Sequence, residues 1–205
     1  MPAIKGYNLD REKDAESPDQ DEIDLLARIA QGDEIALECL YHGYYSRLLR
    51  FISRITGRAD RIDEVVNEVM YVVWQKAGTY NQSCRPSTWI FGIAYNKARK
   101  SMQKSNFDKT ESLDSMAGDN IQFGLQDATL QQLEMQNWLE TAFALLSPEQ
   151  RAVVELTYFH GMHYSEIGLL MTCPENTVKT RMYHARKKLA TILQRLENTD
   201  LASGD

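Results

Sequence analysis

Cysteine is scarce in this chain. Only Cys39, Cys84 and Cys173 occur among 205 residues, far apart and with no Cys-x-x-Cys pair. That odd, scattered set excludes a disulfide scaffold and fits reduced thiols in a cytosolic protein. Cys39 and Cys173 read as small core residues, and Cys84 falls in a polar loop. No apolar run approaches the roughly 20 residues a membrane span requires, so no membrane insertion is expected. The N-terminus is acidic rather than apolar and does not read as a secretory signal. Strand-like alternation and internal repeats are absent. There is no phosphate-cradling glycine loop, no nucleophile elbow and no pair of catalytic carboxylates. His160 and His163 flank a turn without a third ligand nearby, so neither a metal nor another cofactor is expected. The chain does not read as an enzyme.

What is present is helical pattern and segregated charge. Hydrophobic residues make up 43% and charged residues 25%, with a net charge of -6. Such a balance excludes a simple DNA-coating protein, but local basic patches can still meet phosphate. Acid dominates the start, with Asp10, Glu12, Asp14, Glu16, Asp19, Asp21, Glu22 and Asp24. Cations gather at Lys97, Arg99, Lys100 and Lys104, and again at Lys179, Arg181, Arg186, Lys187 and Lys188. Two separated cationic clusters suit two contacts with a polyanion or, equally, two solvated helix faces.

Residues 1–20 lack periodicity and read as a flexible acidic tail. Asp21 is a candidate N-cap for a first helix, which Gly32 stops. A second helix starts at Asp33 and ends near Gly57; Ile35, Leu37, Leu40, Tyr44, Leu48, Phe51, Ile52 and Ile55 fall at helical spacing. A third runs from about Asp60 to Ala77, with Val65, Val66, Val69, Val73 and Trp74 on the apolar side. A polar loop over residues 80–87 leads to a helix from about Thr88 that begins aromatic and ends basic.

Periodicity fades from 103 to 128, where Ser, Asp, Asn and Gly dominate. Such a stretch buries too little apolar surface to order itself and reads as a linker. The expected organisation is therefore all-α, with two small helical domains joined by that linker. The boundaries are 21–104 and 130–195, with a linker over 105–129 and a tail over 196–205.

Helical pattern returns with Leu130, Leu133, Trp138, Leu139, Phe143 and Leu146. Ser147-Pro148-Glu149 then starts a helix carrying Val153, Val154, Leu156, Tyr158 and Phe159. A short helix over 164–170, with Ile167 and Leu169 inward, precedes the turn Met171-Thr172-Cys173. A last helix follows from Pro174. Short helix, tight turn, second helix is the helix-turn-helix pattern, whose second helix enters the major groove. Its leading residues would be Glu175, Asn176, Thr177, Lys179, Thr180 and Arg181. Arg can pair with guanine, Asn with adenine, and Glu can accept from cytosine. Tyr183, His184, Arg186 and Lys187 would reach flanking phosphates. A plain helical hairpin is the structural alternative.

Residues 147–189, SPEQRAVVELTYFHGMHYSEIGLLMTCPENTVKTRMYHARKKL, resemble region 4 of the extracytoplasmic-function (ECF) sigma factors, within the sigma-70 family. Tyr164-Ser165-Glu166-Ile167 and Thr177-Val178-Lys179-Thr180-Arg181 fill the family pattern. The resemblance implies reading of the −35 promoter element. Residues 63–77, DEVVNEVMYVVWQKA, resemble region 2, whose polar helix face binds the clamp helices of core RNA polymerase. Glu64, Asn67, Glu68 and Trp74 are the matching positions, with Asn67 standing where the family usually has Gln. Asp63, Glu64, Asn67, Glu68 and Gln75 are the polar ridge such a partner would meet.

Residues 86–100, PSTWIFGIAYNKARK, look like the part that melts and reads the −10 element. Aromatic faces can stack on unpaired bases at about 1–3 kcal/mol each while cations follow phosphates. Tyr80, Ser83, Arg85, Ser87, Trp89, Tyr95, Asn96, Lys97 and Lys100 are the expected contacts; Trp89 also suits a core position. Pro86 and Lys100 depart from the family, which usually has an aromatic and an acid there.

The implied partners are core RNA polymerase, promoter DNA and an anti-sigma factor, often membrane-anchored. Two other readings share parts of this evidence. A conventional helix-turn-helix regulator would bind duplex DNA as a dimer, and a helical adaptor would have no DNA role.

Overall fold

The computed structural model describes residues 18–57, 61–109 and 141–202. Residues 1–17 of the acidic tail, residues 110–129 of the expected linker and the helical pattern at Leu130 to Leu139 lie outside them. Among the described residues every regular element is helical. In order these are α1 (Pro18–Ile29), α2 (Glu34–Thr56), α3 (Ile62–Lys76), a 3₁₀ turn (Ala77–Thr79), α4 (Pro86–Lys109), α5 (Pro148–Tyr158), α6 (Tyr164–Leu170) and α7 (Glu175–Ala202). Residues 141–144 are also helical.

Three of these helices open on proline, at Pro18, Pro86 and Pro148. Proline suits a first helical turn, where its missing N–H has no intrahelical partner to lose. This moves two starts: α1 begins at Pro18 rather than after Asp21, and α4 begins at Pro86 rather than Thr88. Asp33 caps α2, its Oδ1 accepting from the backbone N–H groups of Ile35 and Ala36 at 3.0 and 3.1 Å. Gly57 closes α2 in the left-handed conformation at φ 66°, donating to the Ser53 carbonyl at 2.8 Å. Ser147 and Gln150 cap α5 reciprocally: each side chain accepts from the other's backbone N–H.

α4 continues to Lys109 and α7 to Ala202, past the expected ends near 104 and 195. Both extensions are mostly polar, with Phe107 in one and Leu196 and Leu201 in the other. Helical backbone persists there through intrahelical hydrogen bonds, which an apolar-stripe criterion does not detect.

The helices α1–α4 form one bundle around Leu48, Phe51, Ile55, Val66, Val69, Val73, Ile90, Phe91 and Ala94, all buried. The rings of Phe51 and Phe91 meet edge to face at 5.0 Å. Helices α5–α7 bury Val153, Leu156, Ile167, Val178, Met182 and Ala185. The two apolar sets join into one continuous core, because α5 packs on α2 and α6 packs on α4.

Several apolar assignments need correction. Ile35, Leu169, Tyr158 and Phe159 are exposed at 67, 67, 58 and 50%. Each is at or near a helix end, where the stripe runs off the packed face. Cys39 is exposed rather than core, and Cys84 and Cys173 are half-buried. No helix among the described residues is long and apolar enough to cross a membrane.

Candidate nucleic-acid interface and docking ridge

The helix-turn-helix is formed as expected. α6 ends at Leu170, residues 171–173 turn, and α7 starts at Glu175. The Cys173 N–H returns to the Gly168 carbonyl at 2.9 Å. A Cβ on Gly168 would lie 2.9 Å from the Cys173 carbonyl oxygen, so the turn closes this tightly only over glycine. Val178, Met182 and Ala185 anchor one face of α7 and turn the opposite face outward.

On that outer face Glu175, Asn176, Lys179 and Thr180 are exposed, as are Tyr183, His184, Arg186 and Lys187. Lys179 pairs with Glu175 at 2.8 Å, one turn back. The Thr180 hydroxyl donates to the Asn176 carbonyl at 2.9 Å. Tyr183 and His184 touch edge to face at 5.4 Å. Arg186 donates to the Tyr158 hydroxyl at 3.1 Å, which gives that exposed tyrosine a place beside the cationic face. Thr177 is half-buried. Arg181 is half-buried too, with Nη1 3.5 Å from the Cys173 Sγ. It braces the turn as well as bordering the face.

The second surface surrounds the loop before α4. The Tyr80 hydroxyl donates to the Cys84 carbonyl at 2.6 Å, and the Ser83 N–H donates to Asn81 Oδ1 at 3.1 Å. Burial, helped by the charges of Cys84, Asp19 and Glu22, pushes the Tyr80 phenol up to about 12. Its ring lies 5.5 Å from Trp89, which is half-buried against the core. Arg85 makes a two-pronged pair with Asp19 of α1, at 2.9 and 3.1 Å. Ser83, Asn96 and Lys100 are exposed, while Ser87 is half-buried. Tyr95 is buried, at 5% exposure. Lys97 turns toward α3 and pairs with Glu68 at 2.8 Å.

The third surface is the outer face of α3, where Asp63, Glu64, Asn67, Glu68 and Gln75 are all exposed. Sequence reasoning missed its aromatic flank. Tyr45 donates to Asp63 Oδ1 at 2.6 Å and Tyr41 to Asn67 Oδ1 at 3.1 Å, and the two rings stack at 5.4 Å. The hydrogen bond to Asp63 is the main influence raising the Tyr45 phenol. Tyr71 adds an exposed ring, at 62%, between Glu68 and Gln75. The signal for Tyr41 and Tyr45 was their one-turn spacing on α2; their orientation toward α3 needed the packed bundle.

A helix-turn-helix head with a cationic outer face, beside a bundle carrying an aromatic loop and a carboxylate–amide ridge, defines the class: an all-α helix-turn-helix protein of the nucleic-acid-reading kind. The model for sigma-70 region 2 matches residues 40–107, and that for sigma-70 region 4 matches residues 136–189. The ECF RNA polymerase sigma factor SigL of Mycobacterium tuberculosis is 28% identical over 177 residues, covering 83% of this chain and 98% of its own. The RNA polymerase sigma-H factor of Pseudomonas aeruginosa is 25% identical over 180 residues, covering 84 and 93%. The fold matches the sigma factor RpoE, solved with the anti-sigma factor NepR from Bartonella quintana. That match has a TM-score of 0.63 and 22% identity, covering 77% of this chain and 96% of the other. The chain belongs to the sigma-70 family, in its ECF group.

Proposed function

We propose that this chain binds core RNA polymerase through the α3 ridge, reads and opens the −10 element with the loop before α4, and reads the −35 element with α7. The observation that carries this reading is the ordered pair of region 2 and region 4 on one chain, with each candidate surface largely exposed. Asp63, Glu64, Asn67, Glu68 and Gln75 would accept from and donate to a basic partner helix. Tyr80, Ser83, Arg85, Ser87, Trp89, Asn96, Lys97 and Lys100 would serve the melted strand, and Tyr95 would support them from the core. Glu175, Asn176, Thr177, Lys179, Thr180 and Arg181 would meet base edges, with Tyr183, His184, Arg186 and Lys187 on phosphates. Residues 21–104 and 130–195 are the two working domains on this reading, joined through 105–129. The polymerase supplies the chemistry, the chain itself is not an enzyme, and it works in the cytoplasm.

An anti-sigma factor is the proposed regulator, supported by the RpoE–NepR complex of the same fold. An inhibitor that covered the acidic ridge and the cationic head together would block both activities.

Run-off transcription with purified core enzyme and a genomic promoter library tests the reading. Promoter-specific transcripts are expected only when chain and core are combined. Gel shifts should show weak DNA binding by the chain alone and specific binding with core. Tight dimeric binding without core would instead indicate a conventional helix-turn-helix regulator, and failure to form a holoenzyme would overturn the proposal.

A further inference from the structure

The seam between the two bundles holds a buried imidazole. His160 follows α5, and its side chain is only 6% exposed. Its ring lies 4.1 Å from Phe91 of α4 and 6.0 Å from Phe51 of α2. Its Nε2 is buried and has no hydrogen-bond partner. A neutral imidazole tolerates that site as an aromatic filler. A protonated one would be a buried charge without a hydrogen-bond acceptor.

The charges facing it make protonation worse. From α2 come Arg47, Arg50 and Arg54, from α5 comes Glu155, and α4 contributes the Phe91 ring. Glu155 is already taken, since its Oε2 holds Arg54 at 2.6 Å. Its other oxygen stands 3.8 Å from His160 Nε2, beyond hydrogen-bond reach. Arg47 in turn pairs with Glu22 at 3.7 Å, so both carboxylates beside these three cations are already engaged. Burial first, then the three arginines, push the His160 imidazole down to about 4.

The seam is otherwise well satisfied. Thr88 of α4 donates to Glu166 of α6 at 3.3 Å, and Arg151 of α5 donates to the Arg54 carbonyl at 3.4 Å. Leu170 of α6 packs over Gly92 of α4, with its Cγ 3.7 Å from where a Cβ would stand.

We propose that His160 makes this seam acid-labile: its protonation parts the C-terminal bundle from the N-terminal one and uncovers the α4 surface. The sign follows from linkage. Closure is at full strength above the ordinary histidine pKa of about 6.5, where the imidazole is neutral in both states. It weakens as the pH falls from about 6.5 toward the closed-state value of about 4. Between pH 7.5 and 5.0 this shifts the open-to-closed ratio by about 30-fold. Glu155 acts in the opposite sense, because burial raises its carboxyl above the usual range in the closed form. The Glu155→Gln variant removes that opposition and keeps an acceptor for Arg54.

The test is fluorescence transfer in the full chain between a dye on Cys39, exposed on α2, and one on an Ala190→Cys position, exposed on α7. Cys84 and Cys173 are replaced by Ser. Transfer should drop between pH 7.5 and 5.0, hold steady in His160→Phe and His160→Gln, and still drop in Glu155→Gln. Unchanged transfer in the parent, or an equal drop in the His160 variants, overturns the proposal. Should those variants misfold, NMR titration of the parent decides: a His160 pKa near 6.5 while transfer stays high also overturns it. The readout needs neither polymerase nor promoter, so its failure and failure of the promoter-reading function are separately visible.

Discussion

Phe91 shows what single side chains do in this molecule. Its ring is fully buried, meets Phe51 edge to face, lies 6.2 Å from Tyr44 and contacts His160 across the seam. It therefore serves the N-terminal bundle and the seam together. Phe91→Ala should cost about 3–5 kcal/mol, the usual range for emptying a phenylalanine site that cannot collapse. Urea unfolding followed by circular dichroism measures it, and a loss under about 1 kcal/mol would mean the site relaxes freely. Tyr44 is different, because its hydroxyl is held by Glu22 at 2.5 Å and its phenol is raised well above the ordinary range, chiefly by burial. Tyr44→Phe would leave the ring packing intact and lose only that tie between α1 and α2.

Among the elements, α2 and α7 make the most specific demands. The Asp33 cap on α2 is held ionised by the Ala36 N–H first and by Arg28 next, which lowers its carboxyl. A group with a depressed folded pKa stabilises above its unfolded value and loses that contribution as the pH falls through the folded one. The first turn of α2 should accordingly exchange its amides faster as the pH drops through the carboxylate range. Asp33→Asn, which still caps, should remove that pH dependence in exchange data corrected for intrinsic rates. On α7 the exposed cations Arg186 and Lys187 are expected to act as phosphate contacts. Arg186→Ala and Lys187→Ala should each lower the salt slope of holoenzyme binding to −35 duplex by about 1, with little change in sequence preference. Arg181→Ala should behave otherwise, because Arg181 also braces the turn at Cys173. It should lower thermal stability as well as specificity.

The elements were largely legible in the chain. Asp33, Gly57 and the Ser147-Pro148 start carry their own chemistry, and the turn at 171–173 was placed correctly. Helix ends were less so, because the polar extensions of α4 and α7 carry no apolar stripe. Exposure at the ends of stripes, as at Ile35 and Leu169, depends on where the neighbouring helix stops. The ridge on α3 could be read from spacing, but Tyr41 and Tyr45 join it only through the crossing of α2 over α3. The pairing of Arg85 with Asp19, 66 residues away, had no local signal at all.

At the scale of the whole molecule, the seam conflicts with simultaneous promoter contact. The −10 and −35 elements lie about 25 base pairs apart, roughly 85 Å along straight duplex at about 3.4 Å per pair. Bundles that share a core, with α6 against α4, cannot span that distance. Promoter engagement should therefore require the seam to open whatever the pH, and a covalent staple across it should block function. Gly92 and Leu170 offer the site: a Cβ at Gly92 would stand 4.0 Å from the Leu170 Cα. That puts the two Cα atoms within about 5.5 Å of each other, inside the roughly 4.4–6.8 Å that a disulfide spans. With Cys39, Cys84 and Cys173 replaced by Ser, the oxidised Gly92→Cys, Leu170→Cys double variant should lose promoter-directed run-off transcription. Reductant should restore it, while each single variant stays active throughout. Core binding by the oxidised form, measured by gel filtration, locates the block. Retained binding without transcription places it at the DNA step, since the α3 ridge is exposed with the seam closed. Full transcription by the verified disulfide form would show that the two bundles can read a promoter without separating.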